Sequence, residues 1–151
     1  MDNPIIISTS IEAPINKIWE YWNLPVHICN WYFADPSWHC PRATNELAVG
    51  KGFDIRMEAK DGSFGFDLKC TYTKIIPNQE IAYTLEDGRA VVTYFEEIDG
   101  AIQITTHFEA EKINSRALQQ NSWQSILNNF KNYFAATSLF ITLFCLRIDS
   151  L

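Results

Sequence analysis

Basic residues are scarce in this chain. Twelve Lys and Arg stand against eighteen Asp and Glu, a net charge of −6, and no cluster of Lys or Arg interrupts the acidic balance. An acidic surface repels phosphate backbones, which excludes nucleic acid as an expected partner. Long apolar runs are also missing. The longest, Phe134 to Leu146, falls short of the ~20 residues that a membrane-spanning helix needs. The stretch from Met1 to Pro14 has neither the charged start nor the apolar centre of a secretory signal. Cysteine is sparse, and Cys29, Cys40, Cys70 and Cys145 follow no Cys-x-x-Cys spacing. A soluble, cytoplasmic chain with free thiols and no membrane partner is expected. Glycine and proline number six each, with no linker or low-complexity segment. A chain of this length fits one domain, which buries roughly 68–70% of its unfolded surface.

Aromatic residues are abundant. Ten Phe, six Tyr and five Trp make up 14% of the chain, more than a plain core of this size needs. Some of these rings are therefore expected to line a cavity. Ile5 to Glu12 is rich in β-branched residues and reads as a strand. Pro14 suits the first turn of a helix whose face carries Ile18, Tyr21 and Trp22. Asn23-Leu24-Pro25 stops it, and a second short helix runs from Pro25 to about Trp31. Tyr32 to Gly50 shows no sustained period and reads as a long, ring-rich loop holding Phe33, Trp38, His39 and Cys40.

From Lys51 onward the pattern is a meander. Phe53, Ile55, Met57 and Ala59 share one strand face, with Asp54, Arg56, Glu58 and Lys60 on the other. Phe64, Phe66, Leu68, Cys70 and Tyr72 continue the apolar face, as do Ile81, Tyr83 and Leu85; Arg89 to Ile98 is the next strand, and Ile102, Ile104, Thr106 and Phe108 line the last. Asp61-Gly62, Asp87-Gly88 and Asp99-Gly100 are hairpin turns between these strands. Asn114 or Ser115 caps a final helix with Trp123, Ile126, Leu127, Phe130 and Phe134 on one stripe. About twenty residues make such a helix roughly 30 Å long. The expected fold is α+β: a curved six-stranded antiparallel sheet wrapped on a long C-terminal helix, with two short helices after strand 1. A cavity is expected between helix and sheet.

Several motifs resemble one family. They are Ile11-Glu12-Ala13-Pro14 with Ile18-Trp19, then Asn30-Trp31, Trp38-His39-Cys40-Pro41 and Arg56 through Asp67. Tyr83 through Arg89 and Trp123 through Phe130 complete the set. Together they resemble the START-like (SRPBCC) superfamily with its helix-grip, Bet v-like fold. Within it they are similar to small bacterial members of the branch named after the activator of the heat-shock protein 90 ATPase. The resemblance covers about residues 5–134 and implies a hydrophobic cavity without naming a ligand. It divides the chain into a START-like domain, residues 1–135, and an apolar tail, residues 136–151. Chaperone-activating members carry a further N-terminal domain, for which this chain has no length. Relatives end soon after the helix, whereas this chain continues.

Three groups of residues bear on chemistry. His27, Cys29, His39 and Cys40 are the zinc-ligand candidates, but their spacing fits no common finger, and adjacent His39 and Cys40 diverge on an extended backbone. The same divergence argues against a Cys40–His39 nucleophile and base. Glu58, Asp67 and Glu86 are the carboxylate candidates for acid–base work, but Glu58 and Asp67 fall opposite the apolar face, positioned to pair with Arg56 or Lys69. No catalytic residue, metal or cofactor is expected. The expected function is binding of a small hydrophobic or amphipathic molecule. The cavity residues are Trp22, Trp31, Phe33, Trp38, His39, Met57, Phe64, Phe66, Tyr72, Tyr83, Trp123 and Phe130. A co-chaperone-like interaction module is the alternative reading, and a cyclase or hydrolase using the same cavity is a second. A homodimer joined through the tail is the protein partner considered.

Overall fold

Alternating apolar and polar residues, punctuated by Asp-Gly pairs, fold into a single meander. The computed structural model describes the backbone of residues 1–148 and the side chains of residues 1–139. In chain order the elements are β1 (Ile5–Ile11), α1 (Ile15–Asn23), α2 (Pro25–Ile28), β2 (Trp38–Asn45), β3 (Phe53–Ala59), β4 (Gly65–Ile76), β5 (Glu80–Leu85), β6 (Ala90–Ile98), β7 (Ala101–Phe108) and α3 (Arg116–Ile148). All neighbouring strands are antiparallel, in the order β1-β7-β6-β5-β4-β3-β2. The α1–α2 connection carries the chain from one sheet edge to the other. The meander then walks back until β7 lies against β1.

The alternation sets the faces. On β3, Phe53, Ile55, Met57 and Ala59 are buried while Asp54, Arg56 and Glu58 face out. On β7, Ile102, Ile104, Thr106 and Phe108 point inward. Thr106 is opposite Thr93 of β6, and their buried hydroxyls lie 2.8 Å apart, each satisfying the other. Asp99 and Gly100 have φ of 51° and 81°, the pair of positive values that a tight two-residue hairpin requires.

α3 starts at Ser115, whose Oγ accepts a hydrogen bond from the Leu118 amide at 3.1 Å. Its 33 residues make it roughly 50 Å long, well beyond the twenty-residue helix expected. It runs without a break past residue 135; side chains beyond residue 139 lie outside the described residues. One face of α3 is stitched to the exposed edge of β1. Arg116 Nη2 donates to the Pro4 carbonyl at 3.3 Å, Gln120 Nε2 to Ile6 at 3.2 Å and Gln124 Nε2 to Ser8 at 3.0 Å. Gln124 Oε1 also accepts from the Ser8 amide at 3.3 Å. The adjacent stripe packs on the sheet, with Leu127, Phe130 and Phe134 buried.

Three expectations need correction. The sheet has seven strands, not six, because Trp38–Asn45 is a strand and not a loop. Its register against β3 shifts between His39 and Arg42, around Pro41, and this irregularity hides the period of two. β2 is an edge strand, so the missing proline N–H breaks no ladder on a second side. The second correction concerns Phe64 and Phe66. Phe64 precedes β4, in the Asp61-Gly62 turn region, and is 64% exposed; Phe66 is 42% exposed. Phe66 does share the inner face, opposite Met57, but at an open end of the sheet. The second short helix is also shorter than expected, ending at Ile28.

Phe130 is fully buried, with ring contacts to Trp22 and Trp31 at 5.0 Å each. Phe130→Ala is expected to cost about 3–5 kcal/mol by urea unfolding; a cost under ~1 kcal/mol would mean that this stripe of α3 is not the packed one. His27 stacks on Tyr21 at 3.9 Å, and its Nδ1 lies 2.8 Å from the Tyr133 hydroxyl, tying α2 to α3. Burial lowers its pKa, helped weakly by Lys17 and opposed by Glu20. The folded state therefore favours the neutral ring. The stability this gives is present above the ordinary histidine value of about 6.5 and is lost as pH falls through the depressed folded value. The melting temperature should drop between about pH 7 and about pH 5, and His27→Gln should flatten that drop. An unchanged slope in the variant would assign the acid sensitivity to other groups.

Candidate functional site

Alternation sends the charged residues Arg42, Asp54, Arg56, Glu58, Asp67 and Lys69 of β2, β3 and β4 to the convex side, where they form one charge network. Arg42 reaches Asp67 at 2.7 Å and Asp54 at 3.5 Å. Arg56 bonds Glu58 at 2.9 Å and approaches Asp67 at 3.6 Å, while Lys69 lies 3.9 Å from Asp54. The pairing expected of Glu58 and Asp67 is therefore present. His39 joins the same network, its Nε2 3.6 Å from Glu58. It sits on the outer face, far from the cavity wall expected of it.

The opposite, concave side holds the site. A cleft of about 390 Å³ opens between the first turns of α3, the segment after α2, and strands β3 and β4. Leu118, Gln119, Ser122, Trp123 and Ile126 of α3 form one wall. Tyr32, Phe33, Ala34, Asp35 and Trp38 form the second, and Met57, Phe66 and Leu68 the floor. Arg89, Glu111 and Asn114 supply a polar end. Each wall is pinned. Trp123 stacks on Phe108 at 4.0 Å with an interplanar angle of 11°. Asn129 Nδ2 donates to the Phe33 carbonyl at 2.5 Å, holding the loop to α3. Buried Gln119 accepts from the Glu111 amide at 2.9 Å and donates to the carbonyls of Glu111 and Asn114 at 3.1 and 2.9 Å.

Of the twelve expected cavity residues, the cleft gathers Phe33, Trp38, Met57, Phe66 and Trp123. Trp22, Trp31, Tyr72 and Tyr83 lie deeper and line two voids of about 40 and 30 Å³. Phe130 is plain core. Phe64 lies outside the cleft, its ring 5.9 Å from Trp38 and 6.5 Å from Phe66. Sequence reasoning missed Arg89, Glu111, Gln119 and Ser122. Gln119, Ser122 and Ile126 follow the three-to-four spacing of a helix face and were legible once the helix was placed. Arg89 follows a turn, Glu111 lies in the connection between β7 and α3, and neither carried a signal. Beside Phe134, a groove of about 570 Å³ runs along Glu12 and Lys131; among the described residues, Phe134 is its only ring.

The deep tyrosines are tuned by enclosure. Burial raises the Tyr32, Tyr72 and Tyr83 hydroxyls above the ordinary value, with Tyr32 and Tyr83 contacting one another. Tyr72 donates to Asn45 Oδ1 at 2.6 Å. At the cleft rim, hydrogen bonds from the Ser37 hydroxyl and amide hold the Asp35 carboxyl below its usual range. Amides of Ile113 and Asn114 do the same for Glu111. Both rim carboxylates are thus anionic near neutrality.

The sequence model of the activator of Hsp90 ATPase homolog 1-like proteins matches residues 12–135. The chain belongs to this family. An activator-like protein from Aeromonas hydrophila, solved in solution, is 38% identical with a TM-score of 0.81, covering 89% of this chain and 94% of that one. The solution structure of Chr148 from Cytophaga hutchinsonii is 42% identical with a TM-score of 0.78 and the same coverages. Protein NE0264 from Nitrosomonas europaea shares the fold at 12% identity, TM-score 0.77, covering 92% and 99%. No curated protein sequence matches.

The zinc candidates of this activator-like chain are dispersed. His27 faces Tyr133 and His39 faces Glu58, while Cys29 and Cys40 place their sulfurs 3.9 Å apart. Among the described residues, no three His, Cys, Asp or Glu side chains converge on a metal position. Cys40 points inward and His39 outward, as expected of neighbours on a strand. The thiols of Cys40 and Cys70 are pushed up to about 12, chiefly by burial. Thiolate is the reactive form, so iodoacetamide near pH 8 should leave Cys40 and Cys70 unmodified in the folded protein and alkylate both in urea. Peptide mass spectrometry reads the outcome; rapid labelling of Cys40 in the folded chain would contradict its enclosure.

Proposed function

We propose that this protein binds a small amphipathic molecule, apolar over most of its surface, in the cleft beneath the start of α3. The observation that carries the reading is the cleft itself, about 390 Å³ walled by Phe33, Trp38, Phe66 and Trp123. That volume falls in the range of small-molecule sites. The family supports it, since its members often bind hydrophobic ligands. Burying ~200 Å² of ligand surface contributes about 5 kcal/mol before association costs. Affinity in the micromolar range follows if a few polar contacts add to it. We place the protein in the cytoplasm, a reading supported by the free thiols of Cys29, Cys40 and Cys70. Among the described residues, no helix is long and apolar enough to cross a membrane. In this reading residues 136–151 form a tail outside the ligand-binding domain; its side chains beyond residue 139 lie outside the described residues.

One observation favours a second reading, a protein-interaction module. Phe64 and Phe66 are exposed beside Trp38, an aromatic patch of the kind that anchors partners. An enzymatic reading has less support. The cleft carboxylates, Asp35 and Glu111, are held anionic by donors already in place, whereas a general acid needs a raised pKa.

N-phenyl-1-naphthylamine, a neutral fluorophore, tests the binding reading. It should bind saturably at about one per chain and raise the melting temperature. Trp123→Ala or Phe66→Ala should weaken it about tenfold, while Glu58→Gln on the convex face should leave it unchanged. If neither this probe nor a broad apolar library gives saturable binding, the cleft is not a binding site and the interaction module takes its place.

A further inference from the structure

The cleft is apolar along most of its length, but the hydrogen-bonding groups at its edge are unevenly matched. Arg89 follows the Asp87-Gly88 turn. Its amide donates to Asp87 Oδ1 at 3.1 Å and its carbonyl accepts from the Leu85 amide at 2.9 Å, so the backbone is fixed. The side chain is fixed too, with Nε on Asp87 Oδ2 at 2.7 Å and only 23% of it exposed. Among the described residues, Nη1 and Nη2 have no hydrogen-bond acceptor. The indole N–H groups of Trp38 and Trp123, which line the same cleft, have none either.

The nearby acids do not balance these donors. Asp35 already accepts from the Ser37 amide and hydroxyl at 2.8 and 2.6 Å. Glu111 already accepts from the Ile113 and Asn114 amides at 2.5 and 2.9 Å. Among the described residues, the charged donors of the cleft that lack an acceptor are thus the terminal nitrogens of Arg89. A guanidinium with Nε engaged still presents its two terminal nitrogens end-on, a geometry that suits two carboxylate oxygens. A wholly apolar ligand would strip water from those nitrogens and return nothing, which is costly.

We propose that the cleft selects amphipathic molecules with a carboxylate head, seating the head on the Nη edge of Arg89 and the apolar body against Trp38, Phe66 and Trp123. This rests on the binding reading above. Asp87, bonded to the same guanidinium, and Glu111, which feels its charge, oppose an anion, so the preference comes from the direct hydrogen bonds of the Nη edge and not from the field of the cleft.

The test compares matched ten-carbon molecules, decanoate, 1-decanol and decylamine, in displacing N-phenyl-1-naphthylamine near neutral pH. Decanoate should displace the probe at a concentration at least about tenfold below that of decanol, and decylamine should be the weakest. The readout is the decanoate-to-decanol ratio within each variant, so any general loosening of the cleft cancels. Arg89→Gln should bring that ratio close to one, and Arg89→Lys should retain part of it. Equal displacement by decanoate and decanol, or a ratio that survives Arg89→Gln, overturns the inference while leaving the binding reading intact. Failure of the fluorophore to bind removes both. Loss of fold in Arg89→Gln, read by circular dichroism, passes the decision to Arg89→Lys, where an undiminished ratio counts against the proposal.

Discussion

The match between one helix and one strand edge organises this molecule. Four residues of an α-helix rise about 6.0 Å and two residues of a strand about 6.6–6.8 Å. Arg116, Gln120 and Gln124 therefore meet the carbonyls of Pro4, Ile6 and Ser8 in step. The ladder satisfies backbone groups that an edge strand otherwise leaves open to other chains. It also sets the rotation of α3. With Gln120 and Gln124 on the edge of β1, Leu127, Phe130 and Phe134 must face the sheet, and Gln119, Ser122 and Trp123 turn toward the cleft.

That rotation decides how the space under the helix is shared. Toward its middle, Phe130 meets Trp22 and Trp31 at 5.0 Å and leaves only small voids. Toward its start, Trp123 lies flat on Phe108 and no large side chain fills the gap to Met57 and Leu68. The cleft lies where the packing stops. Its polar end comes from the β5–β6 turn and the β7–α3 connection, with Gln119 holding the latter in place through three hydrogen bonds. Fold and site share one set of constraints, so a change in α3 packing is felt in both.

Particular residues show why some of the site was legible and some was not. Met57, Trp123 and Phe33 were readable because strand parity, helix spacing and loop position each place a side chain relative to an element. Phe66 was readable by parity, yet parity does not tell whether another layer covers that end of the strand. His39 was misplaced because its stretch shows no period of two and so gives no facing; in β2 it stands opposite Glu58 on the outer face. The deep rings Trp22, Trp31 and Phe130 looked like cavity wall and proved mostly core, since composition counts rings without saying which of them touch.

The sequence by itself determined the strands β3 to β7 with their turns, the capped helix after Ser115, the outward charges and the family. These depend on neighbours close in the chain, where periodicity and turn chemistry act directly. Only the tertiary structure decided that Trp38–Asn45 joins the sheet, that α3 lies on the edge of β1, and that Arg89 meets residues from α3 and from the segment after α2 around one cleft. Each of these joins segments far apart in the chain through shape and hydrogen bonding across a gap, and such contacts leave no local pattern to read.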